Sequence, residues 1–386
     1  MPTMVRLLVS ALFCFCSLAL GQRAVTFEDR AGLQLSNDKL DLTVLTHGGA
    51  MVDLTLRDDP DKLSPLWNPV RMAREAGQKP TFGSSLGHFL CVDGFGNVSR
   101  EERAAGMPGH GEAHTLPWET RSSQKDGKTL TVVFSVTLPL VQEVLTRTLR
   151  MVDGENVVYV ESELENLLAF DRPICWAEHA TIGSPFLEAG KTVVDMSASR
   201  AKTRTYKDQG GPLGHRFANF QDFTWPLAPG VNGDLLDIRA APTTLGAGDH
   251  TTCLMDPSRR LAWVTALHPD KRLLLGYVFR REEFPWTQNW ENYPTNGKLA
   301  RGLEFSTMPF DVPRREAISI GKMFDVPTYR WLPGKSKIGA YFLMFYTRTP
   351  EGFRKVDEVT LDGGRLTIED RGAGKRVTLA ATLPGL

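Results

Sequence analysis

The chain has 386 residues, carries 45 Lys and Arg against 45 Asp and Glu, and is 41% hydrophobic. A near-neutral balance with no basic block or stripe argues against nucleic acid or an anionic membrane surface as a partner. Beyond Leu20 no apolar run is long enough to span a bilayer, and Cys91, Cys175 and Cys253 can form at most one intrachain disulfide, so disulfides are not the framework.

Residues 1–21 read as an export signal. Arg6 supplies the positive start, residues 7–20 are apolar, and Ala19-Leu20-Gly21 places small residues where a signal peptidase reads. Phe13 and Phe15 precede Cys14 and Cys16, so no lipoprotein box is formed. The expected mature protein is exported (periplasmic or secreted) and begins near Gln22. No linker, charge block or internal repeat divides the mature chain, which is read as a single domain over 24–386.

The dominant hydrophobic period is two. Runs at 40–44, 130–136, 157–164, 261–266, 273–279 and 340–346 are rich in β-branched or aromatic residues, and several alternate apolar with polar. Asp126-Gly127, Asp153-Gly154, Asn232-Gly233 and Asp362-Gly363 supply the positive φ that tight hairpins need. Helical periodicity is confined to a turn or two at 70–76. These signals predict an all-β, antiparallel architecture with few short helices. Residues 191–214 read as a surface excursion, and the tail after Pro350 as a closing hairpin.

Three segments mix histidine, carboxylate, aromatic and glycine. The first, 85–118, holds His88, His110 and His114 with Cys91, Asp93 and Glu112. The second, 172–188, reads RPICWAEHATIGSPFLE and sets Glu178 beside His179; Thr181-Ile182-Gly183-Ser184-Pro185 ends the run, and a strand stopping there is expected to present the imidazole near a sheet edge, at a cleft mouth. The third, 281–310, holds Trp286, Trp290 and Glu304. Histidine can give or take a proton near neutral pH, while the bland reading of His179 is an imidazole hydrogen-bonded under a loop. His110 and His114 have the spacing of a zinc-protease helix, but Pro108, Gly109 and Gly111 make the segment a loop and spacing nominates no third ligand; no metal is expected. Cys91 and Cys175 either pair or remain buried thiols. An exported chain with these aromatics suits a hydroxyl-rich ligand, because sugars stack their C–H faces on Trp. Trp176, Trp225, Trp263, Trp286 and Trp290 are available, each equally explicable as core filling.

The stretches GMPGHGEAHTLPW, RPICWAEHATIGSPFL and ARGLEFSTMPFDVPRREA together resemble the aldose 1-epimerase (galactose mutarotase-like) family, in a divergent branch. The resemblance spans about 41–346 and implies a large antiparallel β-supersandwich with no cofactor. Carried over by position, it makes His179 the general acid at the sugar ring oxygen, Glu304 the general base at the anomeric hydroxyl, and His110 a group polarising the ring oxygen. The family's Arg and Asp that grip hydroxyls have no match here. His88 stands where the Arg is expected, and Asp222 or Asp237 in place of the Asp. With Trp176, Trp286 and Trp290, His88 and Asp237 make up the expected sugar-binding set.

Overall fold

The structure is a computed structural model that describes residues 21–80, 83, 85–205, 213–383 and 385–386. The expected export signal lies outside the described residues apart from Gly21. All six period-two runs fall inside strands: Leu40–Leu45, Thr129–Leu138, Val157–Asn166, Leu261–His268, Leu273–Arg280 and Lys337–Arg348. They belong to two large antiparallel sheets, one of twelve strands and one of eight. The helical turn is the helix Pro69–Glu75. Asn68 caps it by accepting from Arg71 N, and Pro69 fills the first position, where an amide has no partner in any case.

Strand Val157–Asn166 explains how the layers stack. Val158, Val160 and Leu164 face one way into the large core between the two sheets. Val157 and Tyr159 face the other way, into a second core roofed by a three-stranded sheet, Glu358–Asp362, Arg365–Asp370 and Lys375–Ala380. The alternation of side chains thus becomes burial on both faces where the roof lies, and solvent exposure at Glu161 and Glu163 where it ends. The tail is that roof. Its Asp362 pairs Arg365 across a two-residue turn in which Gly363 and Gly364 both have positive φ.

Two expectations need correction. Residues 191–214 are not a surface excursion: Val193–Met196 borders the eight-stranded sheet, and Ala198–Thr203 pairs with Ala247–Met255 in the other. A register break between Ala198 and Ala201 and the charges of Arg200 and Lys202 hide the two-residue period. Residues 206–212 of that segment lie outside the described residues. Strand Trp176–Gly183 ends within Thr181–Pro185 as expected, but it carries His179 near the middle of the twelve-stranded sheet and not at its edge. Of the two readings left open for Cys91 and Cys175, the buried thiols hold: both, like Cys253, are buried and free.

On the inter-sheet face of that strand Glu178 is completely buried. Its carboxylate accepts from Arg147, from His88 Nε2 (2.9 Å) and from Trp176 Nε1 (3.2 Å). Burial alone would raise its pKa; Arg147 and then His88 outweigh it, holding the carboxyl below its ordinary value. Removing one partner of a buried pair leaves the other charge unmatched, at about 3–5 kcal/mol. Arg147→Met is therefore expected to lower the unfolding free energy measured by urea titration by an amount in that range, and an unchanged value would mean that Glu178 is neutral.

Candidate functional site

Because successive side chains on a strand point to opposite faces, His179 lies on the face opposite Glu178. The register of the twelve-stranded sheet then sets its neighbours. Phe89 pairs with His179 on one side. On the other, the ladder runs through Ala177↔Ser306 and Thr181↔Gly302, which sets Glu304 directly opposite His179. Glu304 pairs in turn with Gln288, and Gln288 with Thr252. A straight row, Phe89–His179–Glu304–Gln288–Thr252, thus crosses five strands on one face. Two residues along the strands runs a second row, Thr181–Gly302–Trp290–His250.

His179 Nε2 stands 3.3 Å from Glu304 Oε1, and Oε1 has no hydrogen-bond partner among the described residues although it is buried. The two groups approach without the alignment of a hydrogen bond. Gly302 makes this possible. The Glu304 side chain folds back over it, and a Cβ there would lie 2.7 Å from Glu304 Cδ. His179 is fixed from below by Phe89, stacked at 4.1 Å between ring centroids, and at its other nitrogen by Thr181 Oγ1, 3.0 Å from Nδ1.

His110 comes from a loop, not from the sheet. It adopts a left-handed backbone (φ 66°), and Gly111 beside it passes so close to Gly94 that a Cβ on Gly94 would lie 2.5 Å from Gly111 N. The tight approach brings the imidazole edge-on to His179, 5.2 Å between centroids. The Gly96 amide donates to His110 Nδ1 (3.2 Å). A nitrogen that accepts an amide proton carries none itself, so the ring proton sits on Nε2 and is available as a donor.

These side chains line a cavity of about 810 Å³ that also takes in His250, Trp290 and Asp311. Burial pushes the Glu304 carboxyl well above the ordinary carboxylate range, with Arg204 opposing it. Burial, and then the neighbouring His110, holds His179 well below its ordinary value. His110 is brought down to about 4 by burial and by His114, and His250 is depressed by burial and Arg204. The empty site thus avoids charge: imidazoles neutral, Glu304 holding a proton.

Of the expected site residues, His110, His179, Glu304 and Trp290 converge on this cavity. Four others do not. His88 and Trp176 share the parity of Glu178 and are used up as its partners in the inter-sheet core. Trp286 shares a face with Trp290 but lies four residues along the strand, fully buried, with Nε1 donating to Pro327 O. Asp237 is exposed in a separate cleft, paired with Arg239; Asp222 pairs with Arg200 and Lys202 on an edge strand. Sequence reading missed His250, Trp67, Arg204 and Asp311. His250 is opposite Trp290, and Arg204 donates to Asp311 and to Gln288 Oε1 (3.1 Å). Asp311 sits inside the third quoted stretch but carried no assigned role there; His250 is revealed by strand register, and Trp67 and Arg204 by contacts between distant segments. The described residues hold no cluster of three or more potential metal ligands.

Among solved structures, the fold matches a proposed aldose 1-epimerase from Klebsiella pneumoniae at 15% identity and TM-score 0.61, covering 85% of this chain and 83% of that one. A galactose mutarotase-like protein from Clostridium acetobutylicum matches at 12% identity and TM-score 0.58, over 86% of this chain and 99% of that one. A galactose mutarotase related enzyme from Lactobacillus acidophilus matches at 13% identity and TM-score 0.55, over 86% and 100%. The chain has the galactose mutarotase-like fold. No protein-family profile matches it, and no curated protein matches it in sequence. Within the galactose mutarotase-like fold, the likeness carries architecture and leaves the chemistry to the residues described above.

The His110 geometry makes a direct prediction. Nitrogen-15 NMR at pH 7 is expected to show a neutral ring protonated on Nε2, titrating only near pH 4. Between pH 6.5 and 4 the unfolded chain binds a proton at His110 that the folded one refuses. Stability present above pH 6.5 is therefore lost as the pH falls toward 4, and the loss shrinks in His110→Gln. A ring titrating near 6.5, or protonated on Nδ1, would contradict this placement.

Proposed function

We propose that the protein is an exported aldose 1-epimerase that interconverts the anomers of a sugar by acid/base ring opening. The observation that carries the reading is the directly opposed pair, His179 Nε2 and Glu304 Oε1, 3.3 Å apart with Oε1 unpartnered at the cavity floor. Two of the fold's neighbours named above as epimerase and mutarotase proteins supply the reaction class.

Ring opening needs a base at the anomeric hydroxyl and an acid at the ring oxygen. In this reading Glu304 takes the O1 proton, the electron pair forms C1=O1, the C1–O5 bond breaks, and His179 delivers a proton to O5. Rotation about C1–C2 presents the other carbonyl face. The same groups then run in reverse, O5 attacking C1 as His179 takes back its proton and Glu304 returns one to O1. Protons and charge balance over the cycle. The pair needs one proton in total, and the depressed His179 and elevated Glu304 place that proton on the carboxyl while the site is empty. Sugar hydroxyls replacing water would favour the ionic form, Glu304 as carboxylate and His179 as imidazolium. His110, with its proton on Nε2, donates to the ring oxygen and stabilises charge developing there.

Polarimetry on freshly dissolved pure anomers tests the reading. The wild type is expected to exceed spontaneous mutarotation. Glu304→Gln, which keeps size and removes the base, and His179→Asn are each expected to lose about 10²–10⁴-fold in kcat while sugar binding persists. A wild type that binds a sugar but never exceeds buffer would make the protein a sugar binder, and full activity in both variants would place the acid/base groups elsewhere.

A further inference from the structure

The cavity is longer than its chemistry requires. Strands rise about 3.2–3.4 Å per residue, so from Gln288, beside Glu304, to Asn292 on the same strand face is roughly 13 Å. A pyranose whose anomeric carbon sits at His179 and Glu304 does not reach that far, yet Asn292 lines the same cavity. Volume agrees: about 810 Å³ lies toward the upper end of the ~300–1,000 Å³ typical of sites for ligands larger than one ring.

The two ends differ in character. Around the acid/base pair, Phe89 and Phe95 pack on His179, and Asp311, His250 and Asn97 supply polar groups. Two rows further along, the sheet carries the small residues Gly183 and Ala300 opposite each other, with Asn292 opposite Ala300. Trp67 fills the space they leave. A Cβ on Gly183 would lie 2.9 Å from its ring, and Trp67 packs with Met72 and Ala300. Trp290 meets it edge-on at 5.7 Å, making an angled aromatic wall at 70°. The end of the helix Pro69–Glu75 closes the far side with Ala76, and Asn296 and Gln78 ring the opening. Lys298 is already paired with Glu75, which leaves that end of the cavity without a free cation among its described lining side chains.

We propose that this outer half is a second sugar subsite, and that the substrate is the reducing end of a neutral oligosaccharide. The inference rests on the epimerase reading, because ring opening requires a free anomeric centre and so places any further sugar on the non-reducing side. A second pyranose meets both features of the outer half: its C–H face lies on Trp67 and Trp290, and its hydroxyls bond the amides of Asn292, Asn296 and Gln78. A lipid or aryl group would leave those amides without partners. An anionic sugar would find no free cation among the described lining side chains.

The test compares glucose and galactose with maltose, cellobiose, lactose and laminaribiose, by polarimetry and by tryptophan-fluorescence binding. The wild type is expected to favour at least one disaccharide by about tenfold or more in kcat/KM, and in Kd, over the best monosaccharide. Ala76→Trp, at the half-buried end of the helix, fills the outer half without touching His110, His179 or Glu304. It is expected to abolish that preference and leave monosaccharide turnover unchanged. Equal kcat/KM and Kd for mono- and disaccharides in the wild type would overturn the subsite, as would a preference that survives Ala76→Trp. If no sugar turns over faster than buffer, the epimerase reading fails by itself. The binding comparison still decides the subsite: tighter disaccharide binding lost in Ala76→Trp upholds it, and its absence ends it.

Discussion

The structure turns on one cross-strand contact, an imidazole and a carboxylate set directly opposite each other on the buried face of a wide sheet. Side chains opposed in an antiparallel pair have Cβ atoms about 4.5–5.5 Å apart, so register alone brings His179 and Glu304 to chemical distance. Neither residue needs a flexible loop to find the other. The cost is desolvation: two ionisable groups lie largely out of water, and each is driven toward its neutral form. A pair that rests neutral and becomes ionic only around a bound hydroxyl compound is suited to moving a proton in both directions.

Much of the surrounding sequence maintains that contact. Small residues clear the ground: Gly302 under the Glu304 side chain, and Gly94 and Gly111 where the His110 loop meets the sheet. Behind the same strand, Glu178 is anchored by Arg147, His88 and Trp176, so the strand carrying His179 is held from its rear face by charge and from its front by Phe89. Arg204 connects the two sides of the cavity, donating to Asp311 in the wall and to Gln288 beside Glu304.

How much of this was legible in the sequence depends on the physical quantity each signal measures. Period-two runs and Gly turns record local backbone preference, and they located six strands and the Asp362-Gly363 hairpin. Strands such as Ala198–Thr203 escaped because a register break and alternating cations erase the apolar period. His110, His179 and Glu304 were visible through resemblance, since each sits in a recognisable stretch. His88, Trp176 and Trp286 were misplaced because residue type does not say which face of a strand is the working face. Strand alternation would have separated His179 from Glu178 and Trp176, but only the pairing of His88 with Ala180 reveals that His88 joins the latter group. His250, Trp67 and Asp311 enter the cavity through contacts between strands and loops far apart in the chain, a relation that no single stretch records.

If His179 and Glu304 act as one proton-carrying unit, removing both should be little worse than removing either. The direct measurement is the mutarotation rate of the Glu304→Gln/His179→Asn double variant, set beside the wild type and both single variants on the sugar that turns over best. The account predicts a rate close to that of the slower single variant, because the first substitution already disables the concerted ring opening. A double variant whose loss equals the product of the two single losses would show the residues acting independently, and would contradict the paired mechanism.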